Sequence, residues 1–195
     1  MAAELAKELA LGPDENVFDH VRGMFAFASH EEIGRFGSRI LAAEMQPDVL
    51  IAVDVNHDYE AAPIGKDEKH PPLRMGGGFT VGHGNVASPA LNTIIEQVAA
   101  TEGIPFQRDV RGRDSGTDAM AGVLGNVDCA ATSLGFPIRN MHTISELGHS
   151  SDVFATIAAL RATFVEFAAS KMTGDALKTS HPRLDFASED RIVTK

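Results

Sequence analysis

"VLIAVDV", residues 49–55, is a short apolar run rich in branched residues, with Pro47 just ahead of it and one carboxylate set near its end. Its length and branching, bounded by the proline, predict a buried strand covered on both faces. Asp54 is the anomaly. A buried carboxylate without a partner costs several kcal/mol, so its place in the run predicts a ligand or a hydrogen-bonding role.

Outward from this strand, strands and helices alternate. Upstream, Val21 to Ala28 reads as a strand and Phe36 to Met45 as a helix. Downstream comes a longer polar, glycine-rich excursion, then a helix opened by Pro89 and stopped by Gly103. PFQRDV (105–110) is a short strand, Thr117 to about Leu124 a helix, and VDCAATSLG (127–135) another strand. The last helix carries Val153, Ile157, Leu160, Phe164 and Phe167 at spacings of three and four, the stripe of a helix packed on a sheet. The alternation predicts an α/β fold with a mostly parallel sheet between two helical layers. It fills residues 1–168, and a polar, unpatterned C-terminal tail follows over 169–195. At the other end Leu5 and Leu9 share a helix face that starts with no capping residue ahead of it, as a helix entered in the middle would.

Composition narrows the class. The 195 residues carry a formal net charge of −10, from 27 acidic against 17 basic side chains, which argues against a basic nucleic-acid-binding surface. The single cysteine, Cys129, rules out an intramolecular disulfide and reads as a small core residue. No basic leader precedes a long apolar segment, and no stretch approaches the ~18 apolar residues of a membrane span. The expectation is a cytoplasmic protein without nucleic-acid or membrane partners.

In open α/β sheets ligands bind beyond the carboxyl ends of strands, and here every strand exit carries acids or histidines. The first is followed by His30, Glu31 and Glu32; the second ends in Asp54 and leads to His57 and Asp58. The third leads to Asp114, Thr117 and Asp118, the fourth to Arg139, His142 and Glu146. Carboxylates plus imidazole at one sheet edge are the donors a divalent metal such as Zn²⁺ requires. Each feature taken singly also has an ordinary explanation. Acidic pairs lie on solvated loops, a lone loop histidine lies at the surface, and His57, Asp58, His70 and His83 have no interpretable spacing. RMGGGFT (74–80) lacks the Lys-Ser/Thr and the helix start of a phosphate-binding loop and reads as a tight turn or bulge. SGTDA (115–119) is a helix cap through Ser115 or Thr117, which leaves Asp114 and Asp118 on its flanks unexplained.

The order of HEEIGRFGS, IAVDVNHD, LRMGGGF, GIPFQ, SGTDA, GFPIRNMHTISE and an SSDV helix resembles the C-terminal half of the glutamyl and deblocking aminopeptidases, family forty-two of the metallopeptidases, over roughly residues 18 to 168. The resemblance implies a phosphorylase/hydrolase-like α/β/α catalytic domain, two adjacent divalent ions (Zn²⁺ or Co²⁺), a peptide substrate and assembly into large homo-oligomers. It makes Glu31 the general base, Glu32 and His142 ligands of one metal, and Asp54 a ligand of the other, with Thr117 and Asp118 as substrate contacts. Activated water would give its proton to Glu31, attack the scissile carbonyl, and leave Glu31 to protonate the departing amine. A base of this kind works best with a pKa raised by burial. Neighbours on a regular strand point to opposite faces, so Glu31 and Glu32 serve one site only if they lie past the strand end, where Gly34 eases a turn.

The family also uses a histidine and a bridging aspartate ahead of the first helix seen here, and a small inserted β-domain. The resemblance therefore implies a catalytic domain truncated at its N-terminus, with those ligands expected before Met1 and little activity from these residues alone. SHEE and NMHT depart mildly from the family pattern. Three readings follow: a metal-dependent aminopeptidase with an incomplete catalytic domain, a non-catalytic structural or regulatory relative, and an unrelated metal-free α/β hydrolase using Glu31 and His142. Lys66, Lys69, Arg74 and Arg113 are candidates for a preference toward acidic substrates.

Overall fold

The computed structural model describes residues 21–61, 72–84, 86–112, 114–170, 172 and 174–178. The expected N-terminal helix with Leu5 and Leu9, the residues Lys66, Lys69, His70 and Arg113, and 179–195 of the tail lie outside them.

In chain order the elements are α1 (Phe36–Met45), β1 (Val49–His57), β2 (Phe79–His83), α2 (Pro89–Thr101), β3 (Phe106–Val110), a 3₁₀ turn (Asp118–Met120) running into α3 (Ala121–Leu124), β4 (Ala130–Arg139), β5 (Leu147–Gly148), α4 (Ser150–Ser170) and α5 (Gly174–Lys178). The sheet order is β1-β4-β2-β3, with β5 beside β4. β1 is parallel to β4, placing Asp54 opposite Gly135, and β2 is parallel to β3. β2 meets β4 antiparallel, through Thr80 opposite Gly135 and Val81 opposite Leu134.

The sheet is therefore mixed, two parallel pairs joined in opposite senses, where a mostly parallel one was expected. The difference comes from β2, hidden in the glycine-rich stretch RMGGGFTVGHG, whose Phe79 and Val81 are fully buried. Only the exits of β1 and β4 share an edge. The segment after β3 reaches them by crossing the sheet, where the 3₁₀ turn packs on β1 and β4.

Alternation along β1 separates the two helical layers. Val49 and Ile51 pack into the larger core, made by Phe79, Leu91, Ile95, Leu134 and Leu160 among others from the sheet, α2 and α4. Leu50 faces the other way into a small cluster with Ala42 of α1 and Ala121 of α3. Asp54 has the parity of Leu50, so it lies on the α1/α3 face.

Several boundaries differ from the sequence reading. Over Val21–Ala26 burial alternates as in a strand, with Phe27 breaking the alternation, yet among the described residues no strand pairing forms there. Phe25 instead stacks on Phe164 of α4 at 6.3 Å, so the pattern reflects packing on a helix and not a ladder. β4 starts at Ala130 and runs on past the expected end at Gly135, through Pro137 to Arg139. The helix Ser150–Ser170 is long and apolar enough to cross a membrane by length and composition, contrary to the expectation that no stretch is. Here it is a core helix, with Ala155, Ile157, Ala159, Leu160 and Phe167 buried. Within the stretch read as polar tail, Gly174–Lys178 is helical, its Leu177 sits in the main core, and Lys178 pairs with Asp48 at 2.8 Å.

The triple glycine has a structural use. Asp152, fully buried in the first turn of α4, accepts the N–H of Gly76 at 2.6 Å and of Gly78 at 2.9 Å. Gln107 closes the same loop by bonding both the N–H and the carbonyl of Arg74, each at 3.0 Å. LRMGGGF, the glutamine after β3's proline and the aspartate of SSDV are thus one clamp.

Candidate active site

Glu31 and Glu32 lie in a tight turn and not on a strand. The carbonyl of Glu31 accepts the N–H groups of Gly34 at 3.1 Å and Arg35 at 3.0 Å, and Gly34 takes φ 134°, a conformation side chains resist. The turn is seated by Gly37, whose N–H donates to the Ser29 carbonyl at 3.0 Å. A Cβ there would come within 2.6 Å of Ser29 backbone atoms.

The turn brings the predicted acids near β1. Burial is the main cause lifting the Glu31 carboxyl above the usual range, and Asp54, Asp118 and Glu32 push the same way against the guanidinium of Arg35. Asp54 is also raised, chiefly by burial; the N–H of Val55, which it accepts at 2.7 Å, and the charge of Arg111 oppose this, while Asp118 and Glu32 add to it. Four carboxylates thus share one side of the sheet.

His142 joins them from the turn after β4. It sits at φ 63°, its N–H donates to Glu146 at 2.6 Å, and its Nε2 lies 3.7 Å from Glu32 Oε1, both side chains being exposed. Among the described residues no three His, Cys, Asp or Glu side chains close on one point as a metal site. The pair Glu32 and His142 is brought together, with Asp54 near but not part of a closed cage.

Thr117 and Asp118 have local duties. Thr117 is buried and caps the 3₁₀ turn, its Oγ1 accepting the N–H of Ala119 at 3.2 Å. Asp118 accepts the hydroxyl of Ser38 at 2.5 Å. Its neighbour Asp114 takes Arg35 in a two-pronged contact at 3.0 and 3.4 Å. The acids flanking the cap tie this loop to the start of α1, directly behind Glu31.

Sequence reasoning missed a second layer. Asn56 shares the face of Asp54 and donates to Asp109 at 2.8 Å, Arg111 Nε donates to the same Asp109 oxygen at 2.7 Å, and the Thr80 hydroxyl bonds Asn56. Asp58, left unassigned above, is buried and accepts Arg139 Nε at 2.8 Å and the N–H of Glu60 at 3.1 Å, anchoring the end of β1 to the end of β4. Only the interruption of apolar strands by polar residues signals these contacts in the sequence.

Residues 1–158 match the family model for M42 glutamyl aminopeptidases. The chain belongs to the M42 glutamyl aminopeptidase family. A lysyl aminopeptidase of Pyrococcus furiosus is 34% identical over 149 residues, covering 76% of this chain and 42% of that protein. The chain thus spans less than half the length of this relative. Among solved structures, PhTET1-12s, described as a dodecamer, superposes with a TM-score of 0.65 at 24% identity over 83% of this chain and 46% of that one. The TET1 peptidase of Pyrococcus horikoshii, described as assembling into a tetrahedron or a large octahedral shell, gives a TM-score of 0.57 at 24% identity over 70% of this chain and 38% of that one. At that identity the likeness speaks for the fold. Membership in the M42 family removes the reading of an unrelated metal-free hydrolase.

Proposed function

We propose that the chain carries part of a metal-dependent aminopeptidase site, with Glu31 as the proton-transfer group, Glu32 and His142 as ligands of one divalent ion and Asp54 as a ligand of a second. The observation that carries this reading is the approach of Glu32 to His142 at 3.7 Å. Two donors each ~2.1 Å from a tetrahedral ion lie ~3.4 Å apart, so a small contraction of two exposed side chains fits a Zn²⁺ or Co²⁺ ion. Clustered carboxylates, two of them with raised pKa, are the further sign of a place suited to positive charge.

Bound ions would supply Lewis acidity and lower the pKa of water at the site. Glu31 does the proton work: partial burial and neighbouring acids raise its proton affinity, as suits a base that must later act as an acid. Val55 N–H fixes one oxygen of Asp54 and leaves the other for coordination. Of the two residues read as substrate contacts, Asp118 lies beside Glu31 and Asp54, while the hydroxyl of Thr117 is engaged as a cap.

The substrate on this reading is a peptide with a free N-terminus, and the setting a cytoplasmic homo-oligomer; the dodecameric relative supports the latter. A second reading, a non-catalytic relative that holds one metal weakly, is favoured by the lack of a closed three-donor cluster among the described residues. Cobalt titration followed by visible absorption tests the proposal. Saturable uptake that His142→Ala removes is expected, and absence of any saturable band in the unaltered chain would refute it.

A further inference from the structure

Two arginines face the acidic cluster, and each is itself held by an outlying carboxylate. Asp109 holds Arg111, which faces Asp54; Asp114 holds Arg35, which faces Glu31. Arg35 is the more unusual. It precedes α1 in the left-handed region, φ 59°, where an arginine is disfavoured, and its side chain makes no capping bond. The side chain turns inward instead and is 17% exposed. Asp114 occupies its two terminal nitrogens, while Nε is buried, lacks a hydrogen-bond partner, and lies 3.8 Å from Glu31 Oε1.

A buried N–H without an acceptor is unfavourable, and each one in a folded chain calls for a physical explanation. The Glu31 carboxylate, 3.8 Å away, needs to advance less than ~1 Å to make a normal charge-assisted bond. We propose that Arg35 is a positioning residue for Glu31: the Asp114 fork pins the guanidinium so that its Nε–H stays reserved for the Glu31 carboxylate and aims that carboxylate at the acidic cluster. The importance of the hold for catalysis rests on the proposed role of Glu31; the contact itself does not.

The test is proton-detected NMR of arginine Nε–H groups in the full 195-residue chain, needing neither metal nor activity. The Arg35 signal, identified by its loss in Arg35→Lys, should exchange with water at least ~10-fold more slowly than that of Arg161, an exposed residue of α4. It should shift in Glu31→Gln and stay in place in Glu32→Gln. Asp114→Asn, at an exposed position that folding tolerates, should speed its exchange several-fold. A signal as labile as that of Arg161, or one moved equally by both glutamate changes, overturns the proposal. Failure of Glu31→Gln to lower hydrolysis would overturn the proposed function and leave the contact standing.

Discussion

Glu32 Oε1 and His142 Nε2 face each other at 3.7 Å, one from the turn ahead of α1 and the other from the turn after β4. Two exposed side chains from separate loops gain little from pairing as ions, and on the proposed function their approach serves a shared metal ion. His142→Ala should lower Zn²⁺ or Co²⁺ affinity at least ~10-fold, measured by calorimetric titration, with little change in thermal stability because the ring is exposed.

Glu31 has a different expected phenotype. If the proposed function holds, Glu31→Gln should cut whatever turnover the parent enzyme shows by ~10²–10⁴ with the fold intact. The readout is the initial rate on a chromogenic aminoacyl amide, with circular dichroism as the control.

Asp58 makes a pH-dependent contribution to stability. Burial alone would raise its pKa, but hydrogen bonds from Arg139 and from backbone N–H groups outweigh that and hold it below the usual carboxylate range. Its stabilisation is complete above the unfolded value of ~3.9 and fades as pH falls through the depressed folded value. Asp58→Asn should therefore cost ~1.5–3 kcal/mol at pH 7 and less at pH 3, read as urea midpoints at the two pH values. An equal cost at both would show that the charge of Asp58 is not the source.

Asp152→Ala should destabilise the fold by ~2–4 kcal/mol, since it strips the N–H groups of Gly76 and Gly78 of a charged, buried acceptor. A thermal melt unchanged from the parent chain would contradict the clamp.

Gly37→Ala tests how the paired glutamates are seated. Its Cβ would press on Ser29 at 2.6 Å, so the turn must shift. A loss of ~1–3 kcal/mol is expected together with weaker metal uptake, whereas neither change would show that the turn adapts freely.

The central strand, the capped helix after Pro89 and the amphipathic stripe of α4 were legible because each carries its own period or terminus signal. β2 was not, because five residues between glycines lack a period, and its direction reversed the sheet. Val21–Ala28 shows the converse error: alternation records which side chains are covered, not whether a ladder covers them. The site was legible as residue types at strand exits, but not as contacts. Nothing local marks Asp114 as the partner of Arg35 or Asp58 as the partner of Arg139, since each pair joins segments far apart in the chain.

The most direct measurement of the central claim, that Glu31 moves a proton while its neighbour holds a metal, is bound Zn²⁺ or Co²⁺ by elemental analysis in Glu31→Gln and Glu32→Gln prepared side by side. Glu31→Gln should keep nearly the metal content of the parent chain and Glu32→Gln should lose most of it. Equal loss in both, or loss in Glu31→Gln alone, would contradict the assignment of the pair.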